Sequence, residues 1–169
     1  MTWYVLLIGV IAAERLAELV VSNRNREWSR GQGGTEFGAG HYPTMVVLHV
    51  ALLVGCLVEP LVMHRPFIPE LGWPMLAVVV AAQVLRWWCI TSLGSQWNTR
   101  VIVISDAPRV TSGPYRFLPH PNYVAVVLEG IALPLVHSAW ITAIAFTVLN
   151  AVLLHTRIKV ENDALASLT

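Results

Sequence analysis

The sequence predicts an all-α, polytopic integral membrane protein with five transmembrane helices, of which the last two form a helical hairpin. Two observations predict this class. Of the 169 residues, 56% are hydrophobic and only 12% are charged, whereas soluble domains carry about 25% charged residues. The apolar residues also fall into runs near the length of about 20 residues that a helix needs to cross a bilayer. We expect a single membrane domain over residues 1–169.

The first three spans are predicted at residues 3–22, 44–63 and 72–93, where mostly apolar runs are interrupted by few ionisable side chains. The first of these runs does not have the pattern of a cleavable signal peptide. It lacks a basic leading region, and charged residues interrupt its second half. We therefore expect it to remain as a membrane span.

The fourth and fifth spans are predicted within residues 123–156, a stretch whose one acidic residue is Glu129. This stretch is too long for a single span. Pro134 and the sequence PLVHSAW that begins there favour a turn. We predict helices over 123–136 and 139–157, short or tilted in the bilayer.

The orientation in the membrane follows from the basic residues. Eight of them fall in loops 23–43 and 94–122 and in the C-terminal tail, against Arg65 alone in the remaining loops. The eight are Arg24, Arg26, Arg30, Arg100, Arg109, Arg116, Arg157 and Lys159. Loops rich in Lys and Arg stay in the cytoplasm. We expect the N-terminus outside, the C-terminus and the active site inside, and a location in the inner (plasma) membrane.

Several ionisable residues lie in the cytoplasmic halves of the predicted spans, where they are costly unless paired or functional. Glu14, Arg15 and Glu18 lie in the first span and Glu129 in the fourth. Arg15 and Glu18 are spaced to pair on one helix face. Binding of a substrate by these acids and structural pairing between helices are both left open. We expect lateral entry of a substrate next to them.

Arg86, Trp87 and Trp88 near the end of the third span are typical of an interfacial anchor. In that interpretation the arginine snorkels and the tryptophans lie among headgroups. Similarly, the spacing of Arg157 and Glu161 by itself predicts an ion pair on a helix surface.

Two kinds of partner are not expected. The net charge of +1 gives no argument for binding nucleic acid. Cys56 and Cys89 both lie in apolar runs, which favours two small buried side chains over a disulfide or a metal site. The sequence contains no cluster of Cys and His at metal-ligand spacing, so we expect no metal.

The stretch TSGPYRFLPHPNY at residues 111–123 is the strongest local signal. Pro119 and Pro121 restrict the backbone just before a helix begins. The first N–H groups and the positive dipole end of that helix favour acceptors and anions. A proline-rich capping turn is the simple alternative. However, capping alone does not require the glycine, arginine, histidine and asparagine of this stretch.

These residues resemble a known family. VTSGPYRFLPHPNY is similar to the signature of the isoprenylcysteine carboxyl methyltransferase family, in which GPYR leads to an Arg-His-Pro-x-Tyr element at the start of a membrane helix. RIKVENDAL at residues 157–165 resembles that family's closing Arg-x-x-x-Glu-Glu-x-x-Leu element. The resemblance is specific over 93–165, including LGSQW at 93–97, and weaker over 1–90, which looks like a bacterial branch. Pro119 replaces the family's arginine, and Asn162 replaces its second glutamate.

The resemblance implies a membrane enzyme that uses S-adenosylmethionine as methyl donor, with residues 93–165 as the cofactor-binding part. It implies O-methylation of a lipophilic acceptor from the bilayer, either an isoprenylcysteine-type carboxylate or a lipid-like phenol or pyrone. Arg157 suits the cofactor's carboxylate by bidentate pairing, and Glu161 suits its ribose hydroxyls or ammonium group. The expected cofactor-binding residues are Gly113, Tyr115, Arg116, His120, Pro121, Asn122, Tyr123, Arg157 and Glu161.

The candidates for catalysis are Arg157, Glu161, His41 and Glu129. A carboxylate acceptor is already ionised at neutral pH, whereas a phenol needs a base or a polarising donor, for which His41 and Glu129 are candidates. A single histidine such as His41 is more often structural. The candidates for substrate contact are Glu14, Glu18 and Trp97.

Two alternatives remain at this point. An NADPH-dependent membrane reductase of the sterol-reductase kind carries a similar His-Pro-x-Tyr turn. Its 2′-phosphate calls for additional basic groups, and Pro119 removes one. A non-enzymatic membrane binding protein is the other alternative, and it predicts no cofactor binding at all.

Overall fold

The computed structural model describes residues 1–105, 107–108 and 110–166. Arg109, one of the eight basic residues that set the predicted orientation, lies outside this part of the chain. Within it the chain forms five helices: α1 (Thr2–Gly31), α2 (Tyr42–Val62), α3 (Pro69–Leu93), α4 (Pro121–Leu135) and α5 (Trp140–Ala166). The predicted all-α class and the predicted number of helices are confirmed.

Three of the helices, α2, α3 and α5, are long and apolar enough to cross a membrane. The apolar run of α1 is interrupted by Glu14, Arg15 and Glu18. The 15 residues of α4 extend over about 22 Å at 1.5 Å per residue, which is short for a hydrocarbon core of about 30 Å. Many apolar side chains cover the outer faces, among them Leu6, Val47, Val84 and Val152, each more than 60% exposed. This surface indicates a membrane protein.

The core lies between α1, α2, α3, α4 and α5 toward the end of the bundle that carries the N-terminus. Tyr4 and Leu133 are fully buried there, and the Tyr4 hydroxyl donates a hydrogen bond to the Leu133 carbonyl at 2.9 Å. Gly130 of α4 faces the ring of Phe146 of α5 so closely that a Cβ atom would lie 2.1 Å from it. A small residue at this contact lets the two backbones approach. Cys56 and Cys89 are free and buried, as expected.

The structure departs from the predicted loops at the opposite end of the bundle. Helix α1 does not end at residue 22 but continues to Gly31. Two short strands, β1 (Thr35–Phe37) and β2 (Val101–Val103), pair antiparallel with Glu36 opposite Ile102. The β-branched run Val101–Ile104 is the sequence signal for β2.

Glu36 holds this small sheet against α1. Its carboxylate accepts hydrogen bonds from Arg100 at 2.6 Å and Arg26 at 3.0 Å, and Arg30 lies 3.6 Å away. The Arg100 guanidinium also lies over the ring of Tyr42, 3.9 Å from its centroid. Three arginines that the sequence analysis assigned to loops are therefore bound to a single carboxylate.

Candidate functional site

A cavity of about 430 Å³ lies at the end of the bundle where α4 begins and α5 ends. This volume is within the range of about 300–1,000 Å³ that is typical of small-molecule sites. Residues 94–103, which we call the strap, form one wall and comprise a single 3-10 turn (Gly94–Gln96) followed by β2. The turn before α4, the last turns of α5, described residues of the segment 104–110, Leu93 and Ser29 complete the lining.

Six of the nine residues predicted to bind the cofactor line this cavity. They are Tyr115, His120, Asn122, Tyr123, Arg157 and Glu161. Trp97, a predicted substrate residue, also lines it and is 2% exposed. The fold therefore brings residues from the two motifs, which are more than 30 positions apart in sequence, to one concave surface.

Tyr123 bonds to one acidic and one basic side chain of α5, Glu161 and Arg157. Its hydroxyl donates a hydrogen bond to the Glu161 carboxylate and accepts one from Arg157 Nε at 3.0 Å. Arg157 is only 8% exposed. The surface ion pair predicted from the Arg157–Glu161 spacing is therefore wrong, because Arg157 is buried and both side chains bind the tyrosine that α4 places between them.

The other nitrogens of Arg157 contact protein atoms as well. Nη2 donates to the Thr99 carbonyl at 2.5 Å, and Nη1 contacts the sulfur of Met45. In this arrangement the guanidinium links α5 to the strap. A bidentate contact with a ligand carboxylate, as the sequence analysis expected, would require Arg157 to release Thr99.

His120 stacks on Tyr123, with ring centroids 5.4 Å apart, and contacts α5 through both ring nitrogens. Nε2 lies 3.2 Å from Asn162 Oδ1, and Nδ1 lies 3.6 Å from Glu161 Oε1. Asn162, which departs from the family pattern, thus still contributes to the site by holding His120.

Tyr115 projects from the short turn Gly113–Arg116 into the cavity lining. Burial raises the pKa of its hydroxyl, and the neighbouring Cys89 thiol adds to this effect. The phenol therefore stays protonated at neutral pH and can donate a hydrogen bond.

The remaining predicted cofactor residues surround the cavity without lining it. Gly113 has φ +59, and a Cβ atom there would lie 2.1 Å from Ser92 Oγ, so the turn packs directly on α3. Pro121 is buried as the first residue of α4, where proline suits the helix start. Arg116 is exposed beside Phe117.

His41, a candidate base, ends a short turn (Ala39–His41) before α2 and packs beside Gly38. It is not among the residues that line the cavity. The structure therefore places this histidine outside the cavity, in a closely packed region that also contains Arg100 and Arg157.

Glu129 belongs to a buried ion cluster deeper in the bundle. Arg15 donates to Glu18 at 2.5 Å and to Glu129 at 2.9 Å, and Arg86 donates to Glu129 at 2.5 Å. Arg86 is only 6% exposed. The prediction that Arg86 snorkels to the interface is wrong, because a buried carboxylate of α4 binds it inside the bundle.

Glu14 lies at the edge of this cluster and accepts a hydrogen bond from Trp87 Nε1 at 2.5 Å. Trp87 and Trp88 are 42% and 46% exposed, as interfacial tryptophans would be. The contacts of Glu14, Glu18 and Glu129 join α1, α3 and α4 and lie apart from the cavity lining. They favour the structural-pairing alternative over substrate binding.

Several residues of the site have no functional signal in the sequence. The strap supplies Asn98, Arg100 and the β2 residues to the cavity, and Ser29 of α1 reaches it as well. The β-branched residues of β2 gave a strand signal. Ser29 and the other polar residues near the end of α1 have no comparable signal in the sequence, because they reach the strap only through the extension of that helix to Gly31.

Comparison with known proteins places the sequence in a family. The model of the isoprenylcysteine carboxyl methyltransferase (ICMT) family matches residues 75–167, which is more than half of the chain. The chain belongs to the ICMT family. This membership indicates a membrane protein that carries out methyl transfer.

Two bacterial relatives extend the likeness of this ICMT family member beyond the matched region. Uncharacterized protein YpbQ of Bacillus subtilis is 37% identical over 161 residues, covering 95% of each chain. An uncharacterized protein of Haemophilus influenzae is 24% identical over 161 residues, covering 94% of this chain and 92% of its own. The family match begins within α3, whereas both relatives also cover most of α1 and α2.

Among the described residues of this ICMT family member, no group of three or more His, Cys, Asp and Glu side chains is arranged to hold a metal ion. The cavity lining is instead composed of aromatic, amide and aliphatic groups with one carboxylate, Glu161, and two guanidinium groups among the described residues. This donor set suits an organic ligand with both polar and apolar parts.

Proposed function

We propose that this ICMT family member is an integral membrane O-methyltransferase that uses S-adenosylmethionine and acts on a lipophilic acceptor. The acceptor is an isoprenylcysteine-type carboxylate or a lipid-like phenol or pyrone. One observation carries the proposal: six of the nine residues predicted to bind the cofactor line a single cavity.

The chemistry of the lining fits the cofactor. Glu161 offers a carboxylate to the ribose hydroxyls or the ammonium group, while His120, and Arg157 once it releases the Thr99 carbonyl, offer hydrogen-bonding groups to the carboxylate end. The Oδ1 atoms of Asn98 and Asn122 are buried and have no hydrogen-bond partner within the described chain. Buried polar atoms without partners are uncommon, and both residues line the cavity, so these oxygens are candidates to accept hydrogen bonds from a nucleoside.

The lining fits NADPH less well. Among the described lining residues the arginines are Arg100 and Arg157. Arg100 already binds Glu36, and Arg157 binds Tyr123 and Thr99. NADPH carries a 2′-phosphate and a pyrophosphate, whereas S-adenosylmethionine carries a single carboxylate, so NADPH would require more of these contacts to break.

When bound, the sulfonium of the cofactor supplies an electrophilic methyl group. The protein then has to orient donor and acceptor in line and exclude water, for which the aromatic side chains Tyr115, Tyr123 and Trp97 are placed in the lining. His41 and Glu129, the candidate bases, lie outside it. Tyr115 is protonated at neutral pH. This arrangement favours an acceptor that is already ionised, which a carboxylate is at neutral pH.

We propose that all five helices lie in the inner (plasma) membrane, with the N-terminus outside and the cavity facing the cytoplasm. The small sheet, the strap and the end of α5 carry Arg100 and Arg157, while Arg26 and Arg30 lie at the end of α1 beside them. This concentration of positive charge supports a cytoplasmic location. The acceptor then enters laterally from the bilayer between α1, α2 and α4.

Titration calorimetry of the purified protein with S-adenosylmethionine, S-adenosylhomocysteine and NADPH tests the proposal. We expect the first two to bind and NADPH not to bind. Glu161→Ala and Arg157→Ala should each weaken binding by about 1.5–3 kcal/mol, the contribution of a charged hydrogen bond.

Lys159→Ala is the matched control, since Lys159 lies between these two residues on α5 but is exposed. It should leave the affinity unchanged. Binding of NADPH alone would support the reductase alternative. Binding of none of the three would support a non-enzymatic protein.

A further inference from the structure

We propose that Asn25 of α1 is a positioning residue for the cofactor cavity, although α1 lies outside the family match. This inference rests on the proposed function for the identity of the ligand. The Asn25 side-chain amide donates two hydrogen bonds to the strap, to the Trp97 carbonyl at 2.7 Å and to the Gly94 carbonyl at 3.1 Å.

These two carbonyls are the ends of the turn that starts the strap. Gly94 ends α3 with φ +53, a conformation that glycine adopts readily. Its carbonyl also accepts the backbone N–H of Trp97 at 3.1 Å, which closes the turn. By binding both ends, Asn25 fixes the direction in which the chain leaves α3 and the position of Trp97 in the cavity wall.

Asn25 is one of three polar residues on a single face of α1. Ser22 Oγ accepts the backbone N–H of Thr99 at 3.0 Å and lies 2.8 Å from the Thr99 hydroxyl. Ser29 Oγ lies 3.4 Å from Asn98 Nδ2. The spacing of residues 22, 25 and 29 places all three side chains on one stripe of a helix. The strap therefore receives contacts from this stripe at Gly94, Trp97, Asn98 and Thr99.

The opposite side of the strap is bound by α5. Arg157 donates to the Thr99 carbonyl at 2.5 Å, while α1 binds the same residue through its N–H and hydroxyl. The cavity wall is thus held between the two helices. Release of the wall from α1 would change the place of Trp97 and Asn98 relative to Arg157 and Tyr123.

Asn25→Asp tests this role because it replaces the two-donor amide by a carboxylate of the same shape. Its oxygens would then face two carbonyl oxygens, so the turn should move away from α1. We expect S-adenosylhomocysteine to bind about tenfold more weakly, as when a hydrogen-bond network loses its donor. Asn25→Gln keeps both N–H groups and should recover most of the affinity.

Asn23→Asp provides the matched control. It adds the same charge two residues away, at an exposed position of α1. It should leave the affinity for S-adenosylhomocysteine unchanged. The melting temperature of unliganded Asn25→Asp should be lower than that of Asn23→Asp, because the change removes two hydrogen bonds between α1 and the strap, and binding is compared at a temperature well below both.

Hydrogen–deuterium exchange of the unliganded protein gives a second readout that needs no cofactor. The amides of residues 97–99 should exchange faster in Asn25→Asp than in wild type, and no faster in Asn23→Asp. Wild-type affinity together with unchanged exchange in Asn25→Asp would overturn the inference and leave the proposed function intact. If the wild-type protein does not bind S-adenosylhomocysteine, the proposed function fails. The positioning of the wall by Asn25 is then decided by exchange alone, where unchanged rates overturn it.

Discussion

The hydroxyl of Tyr123 is bound to Glu161 and Arg157 at the same time, donating to the carboxylate and accepting from the guanidinium at 3.0 Å. Tyr123 belongs to the proline-rich motif at the start of α4, whereas the other two residues belong to the C-terminal motif. This one side chain therefore links the two sequence elements that carry the resemblance to the family.

Tyr123→Phe should weaken the binding of S-adenosylhomocysteine by about tenfold, because Glu161 and Arg157 lose the hydrogen-bond partner that holds them. Titration calorimetry measures the effect. Tyr4→Phe is the control. It also removes a buried hydroxyl, the donor to the Leu133 carbonyl, but at the other end of the bundle. It should lower the melting temperature and leave the affinity intact. Equal affinities of wild type and Tyr123→Phe would show that the junction does not shape the cavity.

Glu129→Gln should destabilise the protein. The change removes a carboxylate that binds both Arg15 and Arg86, and breaking a buried ion pair costs about 3–5 kcal/mol. Thermal unfolding in detergent measures the loss. Glu70→Gln changes an exposed residue at the start of α3 and should have little effect.

A different outcome for Glu129→Gln would favour the substrate-binding alternative for the acids in the spans. In that case turnover of a long-chain acceptor would fall while the melting temperature and the affinity for S-adenosylhomocysteine stayed at wild-type values. The same comparison applies to Glu14→Gln.

Glu36 should make the stability of the small sheet depend on pH. Burial acts to raise the pKa of its carboxyl, but hydrogen bonds from Arg100 and Arg26 outweigh burial and hold the pKa below its ordinary value of 4.5. A carboxyl whose pKa is lower in the folded state stabilises the fold fully above its unfolded pKa. This stabilisation is lost as the pH falls through the folded pKa.

Wild-type protein should accordingly have a higher melting temperature than Glu36→Gln at pH 7, and this difference should shrink near pH 3, since a protonated glutamate resembles glutamine. Glu27→Gln, an exposed change on α1, should behave like wild type at both pH values. A difference between wild type and Glu36→Gln that is independent of pH would contradict the assignment of the effect to the charge of Glu36.

A reporter fused after residue 169 should be found in the cytoplasm, and one inserted in the connection at residues 63–68 should be found outside. The physical reason is the concentration of basic residues at the end of the bundle that carries the strap. Compartment-specific reporter activity measures both positions. The reverse result for the two fusions would overturn the proposed orientation and the cytoplasmic cavity.

Much of the architecture could be predicted from the sequence because it depends on local patterns. Apolar runs of sufficient length indicated the helices, and Pro121 and Gly94 lie where α4 begins and α3 ends. The two motifs also identified Tyr115, His120, Tyr123 and Glu161, all of which line one cavity. Proline restricts the backbone at its own position and glycine frees it, so the effect of each does not depend on distant residues.

Only the tertiary structure decided which charged groups are partners. Arg86 and Glu129 are 43 positions apart and Arg157 and Thr99 are 58 apart, and no local spacing indicates such pairs. From the sequence we predicted local arrangements instead: a snorkelling side chain for Arg86 and an ion pair within one helical turn for Arg157 and Glu161. A buried charge is stabilised by the partner that packing brings within a few ångströms, and packing is a property of the whole bundle. For the same reason the role of the polar stripe of α1 depends on the strap that packing lays across it.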